Sequence, residues 1–267
     1  MKPVRELMDL SGRVALVTGG AGFIGTAISE AMAELGASVV VLDIVEVACA
    51  EIAGRISDRY STEVMPLVVD LVDEKELRAV PVQVLERFQR LDIVFNCAGL
   101  VGASELKGWA VPFMEQHSTT YRKALDVNLT APFVLVQSCA EALKASGHGS
   151  VINIASIYGL VGPDLRLYEG TSMGNPAGYA ASKGGLIQLT RWLATVLAPH
   201  VRVNAITPGG IWRNQPETFR EQYVARTPLG RMGTEENLKG AAAYLASDLS
   251  AYVTGQNLIV DGGWTAW

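Results

Sequence analysis

Val14-Ala15-Leu16-Val17-Thr18-Gly19-Gly20-Ala21-Gly22-Phe23-Ile24-Gly25 decides how this 267-residue chain folds. The apolar run at its start fits a strand buried on both faces, as in a parallel sheet. Glycines follow at once. Ile24, Ile28, Ala31, Met32 and Leu35 then recur at helical spacing, and Gly36 is placed to stop that helix. Residues 38–42 read as a second strand that ends on Asp43. Strand, glycine turn, helix, strand and acid form the context that a dinucleotide-binding fingerprint needs. Gly20-x-Gly22-x-x-Gly25 fits its literal pattern. Glycines let the backbone approach a pyrophosphate, and the helix N-terminus offers free N–H groups and a partial positive charge. Asp43 is placed to hydrogen-bond both hydroxyls of an adenosine ribose. Its carboxylate repels a 2′-phosphate, so NAD is expected rather than NADP.

Outward from this unit the alternation continues. Residues 45–60 and 73–90 read as helices, the second capped by Asp73. Residues 64–69 and 91–95 read as strands, the first despite Pro66. Residues 100–118, with Gly102, Gly108 and Pro112, lack a period and read as a loop with a short helical piece. Thr119 or Thr120 is expected to cap a long helix to residue 146, bent at Pro132. A strand over 150–155 leads to Ser156, an irregular excursion fills 158–176, and a helix fills 177–198. A strand over 201–206, helices over 214–226 and 234–247, and a strand over 258–260 complete the chain. The expected fold class is α/β. It is a single doubly wound, Rossmann-like domain over 1–267 with about seven parallel strands and helices on both faces. A substrate lid is inserted at about 158–177.

Composition narrows the function. A net charge of −5 argues against a nucleic-acid partner. Cys49, Cys97 and Cys139 form no Cys-x-x-Cys pair and read as reduced residues of a cytoplasmic protein. His117, His148 and His200 are too scattered for a metal site, so none is expected. No apolar run spans a membrane and no signal core is present. Charged residues are only 18% of the chain, which favours extra surface buried between subunits.

Tyr179-Ala180-Ala181-Ser182-Lys183 carries the chemistry. Residues four apart share one helix face. A tyrosine titrates near pH 10, too high for a base at neutral pH, and a nearby ammonium is expected to lower that value. A poised phenol takes a proton from an alcohol or gives one to a carbonyl.

Taken in order, the glycine turn, Asp43, Asp70, Asn96-Cys97-Ala98-Gly99, Asn128, Ser156, Tyr179-x-x-x-Lys183, Pro208-Gly209 and Asp261-Gly262-Gly263 resemble the short-chain dehydrogenase/reductase family, in its compact single-domain branch. The resemblance covers nearly the whole chain. It implies a nicotinamide cofactor and hydride transfer to or from a carbonyl carbon. Residue by residue, it implies that Gly19, Gly22, Phe23, Ile24 and Gly25 hold the pyrophosphate, and that Asp43 and Ile44 hold the adenosine ribose. Asp70 and Leu71 would flank the adenine, with Asn96, Ala98 and Gly99 as the adjoining wall. Pro208, Gly209 and Ile211 would face the nicotinamide. Tyr179 would be the acid/base and Ser156 would hold the substrate oxygen. Lys183 would bind the nicotinamide ribose and lower the Tyr179 pKa, and Asn128 would hold a water linking Lys183 to solvent, with its helix distorted there. A homotetramer is also implied.

Three departures stand out. The turn is Gly19-x-x-Gly22-x-x-Gly25, with Phe23 where the compact branch carries its middle glycine. Ser156 and Tyr179 are unusually far apart, so loop 162–176 must sit over the site. Arg213 stands where a threonine often touches the cofactor. Arg166, Glu169, Arg213 and Asn214 would suit a small polar substrate, a sugar or sugar phosphate. A weaker resemblance from Gly162 onward is to members linked with surface-sugar modification of nonulosonate or flagellin type. The alternatives are a sugar isomerase or lyase that retains its NAD, a reductase of another carbonyl class, and a cofactor-binding regulator.

Overall fold

The computed structural model describes residues 1–101 and 106–267. The loop expected at 100–118 therefore falls partly outside the described residues, Gly102 included. Seven strands form one sheet: β1 (Val14–Thr18), β2 (Ser38–Asp43), β3 (Val64–Val68), β4 (Ile93–Asn96), β5 (Gly149–Ile154), β6 (Val201–Pro208) and β7 (Asn257–Val260). All pair in parallel, in the order β3-β2-β1-β4-β5-β6-β7. Strand order reverses between β1 and β4, which opens a crevice beyond their carboxyl ends. Pro66 is tolerated because β3 is an edge strand, where a missing N–H costs no ladder bond on the open side.

Successive strand residues feed opposite faces. Leu16, Val40, Val94, Val151 and Val203 face α4 (Glu74–Phe88), α6 (Ala131–Ser146) and α7 (Ala177–Val196). Ala15, Val17, Val39, Val41, Phe95 and Ile152 face α2 (Phe23–Glu34), α3 (Glu46–Tyr60) and α9 (Lys239–Ala246). Both faces are thus covered, which is why the strand sequences read as apolar runs and not as alternations. Asp73 caps α4 as expected, its carboxylate accepting from the N–H groups of Lys75 and Glu76. A short helix α1 (Val4–Met8), which buries nothing, occupies the lead-in. None of the helices described is long and apolar enough to cross a membrane.

Several boundaries differ from expectation. The long helix to residue 146 starts as α5 (Ser118–Leu125) with His117 as N-cap, so neither Thr119 nor Thr120 caps it. Thr120 Oγ1 instead donates to the carbonyls of His117 and Gly108. A π-turn over Asp126–Thr130 joins α5 to α6. Pro132 falls at the first turn of α6, where its missing N–H is harmless, so the distortion precedes the proline. The helix expected over 214–226 shrinks to α8 (Glu217–Val224), because Asn214 adopts a left-handed φ of 57°. In place of one helix over 234–247, a 3₁₀ turn over Glu235–Leu238 leads into α9.

The turn between β1 and α2 is closed by contact of glycine on glycine. A Cβ on Gly25 would stand 2.0 Å from the carbonyl oxygen of Gly19. We expect Gly25→Ala to lower stability by about 1–3 kcal/mol, as overpacking does, measured by urea unfolding. Unchanged stability would mean that this contact does not hold the turn.

Candidate active site

The glycine turn is fastened to the neighbouring strand by one hydroxyl. Thr18 Oγ1, at the end of β1, accepts from the N–H groups of Cys97 (3.0 Å) and Ala98 (3.2 Å) and donates to the Phe95 carbonyl. Gly19, at φ +62°, lies so close that a Cβ would meet Ala98 Cα at 2.7 Å. Thr18 is a site residue that sequence reasoning passed over. Its signal was a hydroxyl at a strand end directly before the first glycine. Gly22 is the N-cap of α2 and supplies no side-chain cap. The first-turn N–H groups are therefore left for an external acceptor. Asp43, at the end of β2, accepts from the N–H of Ile44 at 2.8 Å and, through its other oxygen, from that of Ala21 at 3.3 Å. It thereby ties the second strand to the turn. Leu71, Asn96 and Ala98 line one small cleft together with Thr18, Val127, Pro132 and Leu135. The Asn96 amide is turned inward, donating to Asn153 at 2.7 Å. Asp70 accepts from the N–H of Val72 and so serves its own turn as well. A cradle in which added Cβ atoms would collide, an uncapped helix end and a strand-end carboxylate with no ion-pair partner among the described residues fit a dinucleotide.

Beyond β4 and β5 a second group converges. Ser156 follows β5 and is buried; its Oγ accepts from the N–H of Tyr158 at 3.2 Å and lies near enough to the Tyr179 phenol to influence its titration. Lys183, one turn along α7, is 4% exposed and donates to the carbonyl of Ile154 at 2.7 Å. That carbonyl lies past the end of the β4 pairing, which stops at Asn96–Asn153. Asn128, fully buried in the π-turn, holds Leu100 at both ends. Its Oδ1 accepts from the Leu100 N–H at 2.7 Å, and its Nδ2 donates to the Leu100 carbonyl and to Ser182 Oγ, both at 3.0 Å. Its amide is thus spent on the chain itself. Gly99 packs between: a Cβ there would stand 3.1 Å from Asn128 Oδ1 and 3.5 Å from Lys183 Nζ. On the far side, Gly209 donates to the Val260 carbonyl, and Ile211 bridges to Gly233 after Pro208 ends β6.

Electrostatics correct one expectation. Burial holds the Tyr179 phenol above its ordinary value. The Ser156 hydroxyl and the Arg213 charge pull it back, while Tyr168 pushes it up. The Lys183 ammonium lies 5.9 Å from the ring centroid and is directed to the Ile154 carbonyl. Lys183 itself is pushed down to about 8 by burial. Burial also raises the Cys97 thiol to about 12, so it is no nucleophile.

The lid is less polar than expected. Tyr158 and Tyr168 share a hydrogen bond of 2.7 Å between their hydroxyls and pack with Phe219, Tyr223 and Trp264. Arg166, expected in the pocket, forks onto Asp164 and leaves 73% of its side chain exposed.

Comparison with known proteins agrees with this geometry. A family model described as enoyl-(acyl carrier protein) reductase matches residues 19–265. A 3-oxoacyl-(acyl-carrier-protein) reductase FabG of Thermotoga maritima is 31% identical over 263 residues, covering 96% of this chain and 99% of that protein. The crystal structure of a short-chain type dehydrogenase/reductase from Mycobacterium marinum superposes with a TM-score of 0.87 at 30% identity, covering 100% of both chains. A gluconate 5-dehydrogenase from Burkholderia cenocepacia J2315, solved with NADP and tartrate, gives 0.88 at 30% identity, covering 99% of this chain and 100% of that one.

The buried lysine has a thermodynamic signature. Its folded pKa of about 8 lies below its unfolded value, so the unfolded chain binds the extra proton between the two. Stability of the ligand-free protein relative to Lys183→Met should therefore rise with pH across this window, by about 1–3 kcal/mol between pH 8 and 10. Urea unfolding of both proteins at several pH values reads this; a constant difference would show that the ammonium pays no burial cost.

Proposed function

The chain belongs to the short-chain dehydrogenase/reductase family, and from that premise we propose that it is an NAD-dependent oxidoreductase acting on an alcohol or ketone of a small polar compound, a sugar or sugar phosphate. The observation that carries this reading is the meeting of Ser156, Tyr179 and Lys183 beside the glycine turn, at the crevice where strand order reverses. In this reading Gly19, Gly22, Phe23, Ile24 and Gly25 receive the pyrophosphate, Asp43 and Ile44 the adenosine ribose, and Asp70, Leu71, Asn96, Ala98 and Gly99 the adenine side. Pro208, Gly209 and Ile211 border the nicotinamide. When bound, the nicotinamide supplies or takes the hydride.

The chain's own residues handle the proton. Ser156 holds the substrate oxygen and Tyr179 exchanges a proton with it. A phenol raised by burial is a reluctant base. Positive charge must come nearer to release its proton, and the closest buried source is Lys183 once its Nζ leaves Ile154. Asn128 acts as a positioning residue, since it fixes the Leu100 backbone beside Gly99 and Lys183. Residues 158–177 serve as the lid. NAD is preferred because Asp43 presents a carboxylate where NADP would carry a phosphate, although the gluconate 5-dehydrogenase above was solved with NADP. The hydroxyl pair of Tyr158 and Tyr168 favours a hydroxylated substrate. The aromatic wall favours a second reading, a reductase of a cyclic or acyl ketone.

A panel of sugars, sugar phosphates, cyclic ketones and acyl thioesters should give turnover on the first two, with NAD at least about tenfold better than NADP as like charges repel. Tyr179→Phe should lose about 10²–10⁴-fold in kcat, the usual worth of a general acid/base, while still binding NADH. Turnover restricted to acyl thioesters would sink the sugar reading, and an active phenylalanine variant would sink the mechanism.

We also read the chain as a cytoplasmic homotetramer. Trp192 and Val196 on α7 stand exposed in the single chain, as does Trp267 at its end. Light scattering should return four times the 28.5 kDa chain mass; a monomer would refute it.

A further inference from the structure

Phe23 and Arg213, two departures from the family pattern, lie against each other. Phe23 is the first residue of α2 and is 66% exposed, an unusual cost for an aromatic. The Arg213 guanidinium lies over its ring, 4.3 Å from the centroid. Arg213 Nε donates to Glu235 at 3.0 Å. The Arg213 N–H donates to Gln215 at 2.7 Å, and the Gln215 amide returns to the Ile211 carbonyl at 2.8 Å. The left-handed Asn214 completes this tight turn. The guanidinium is therefore held by a ring on its face, a carboxylate at Nε and a braced backbone. Among the described residues, Nη1 and Nη2 have no hydrogen-bond partner.

We propose that Arg213 is a clamp on the cofactor pyrophosphate, with Phe23 and Glu235 as its positioning residues. This rests on the nicotinamide reading above. The ring beneath the guanidinium belongs to the uncapped first turn of α2, the place in this crevice suited to phosphate. The Arg213 charge also lowers the Tyr179 and Cys97 pKa values, so it is felt at the acid/base as well as at the turn. A planar fork with two unspent donors matches two phosphate oxygens, and stacking on an aromatic face holds that fork without consuming a donor. Lysine has neither the fork nor the flat face. Phe23 thus takes the middle-glycine position of the turn and serves as the platform for the group that grips the phosphates.

The test is binding, not turnover. NADH affinity is read by its fluorescence and ADP-ribose affinity by calorimetry, each at low and high salt. Arg213→Ala should weaken both about tenfold or more, as expected for loss of a charge-assisted pair, and should flatten their salt dependence. Arg213→Lys should recover only part of the affinity, and Phe23→Ala should fall between wild type and Arg213→Ala. If Arg213→Ala binds both ligands within about twofold of a wild type that itself binds NADH, the clamp is wrong and the hydride-transfer reading stands. A wild type that binds neither NADH nor NADPH overturns both.

Discussion

The site depends on how closely the end of β1 can lie beside the end of β4. Parallel strands leave their last N–H and C=O groups unpaired at a point where the chain must also turn into a helix. Thr18 meets that need by taking the N–H groups of Cys97 and Ala98 on one oxygen. The approach is so close that position 19 tolerates no Cβ against Ala98. Everything downstream inherits this registration. Asn96 reaches Asn153, Asn153 reaches Thr190, and α7 is thereby set against β5. A cofactor cradle and a catalytic helix far apart in sequence thus share one frame of buried hydrogen bonds.

That frame carries an uncompensated charge. Among the described residues, Lys183 is buried with one carbonyl as its hydrogen-bond partner and no carboxylate in an ion pair with it. Burial of this kind destabilises the charged form and is seldom retained without use. A ligand that brought hydroxyl acceptors to Nζ would relieve it. The phenol of Tyr179 is penalised by the same burial in the opposite sense.

The lid and the segment after β6 show how local pairing redirects charges. Arg166 and Arg226 both reach Asp164, and Arg220 pairs with Glu217. These charges stabilise turns and helix ends more than they line a pocket. The surface nearest the acid/base is left to tyrosines and a tryptophan. Arg213 is the exception, because its partner Glu235 occupies only one edge of the guanidinium.

The order of strands and helices, the glycine turn, the Asp73 cap and the shared helix of Tyr179 and Lys183 were legible in the linear chain, whereas Ser156 joined them only through the family resemblance. Periodicity and turn chemistry are local, and this fold keeps its signals local. The start of the helix at Ser118 and the break at Asn214 were not legible from helical spacing, while the distortion at Asn128 was implied by the family resemblance without its cause. Asn128 is buried there to hold Leu100, and nothing near it in sequence announces that contact. The meeting of Phe23 with Arg213 is of the same kind. Sequence marked each as unusual; only the folding of the segment after β6 back over the β1 turn made one the support of the other. The state of the lysine and the phenol also belongs to tertiary structure, since a pKa answers to burial and to the direction of a side chain, and four-residue spacing specifies neither.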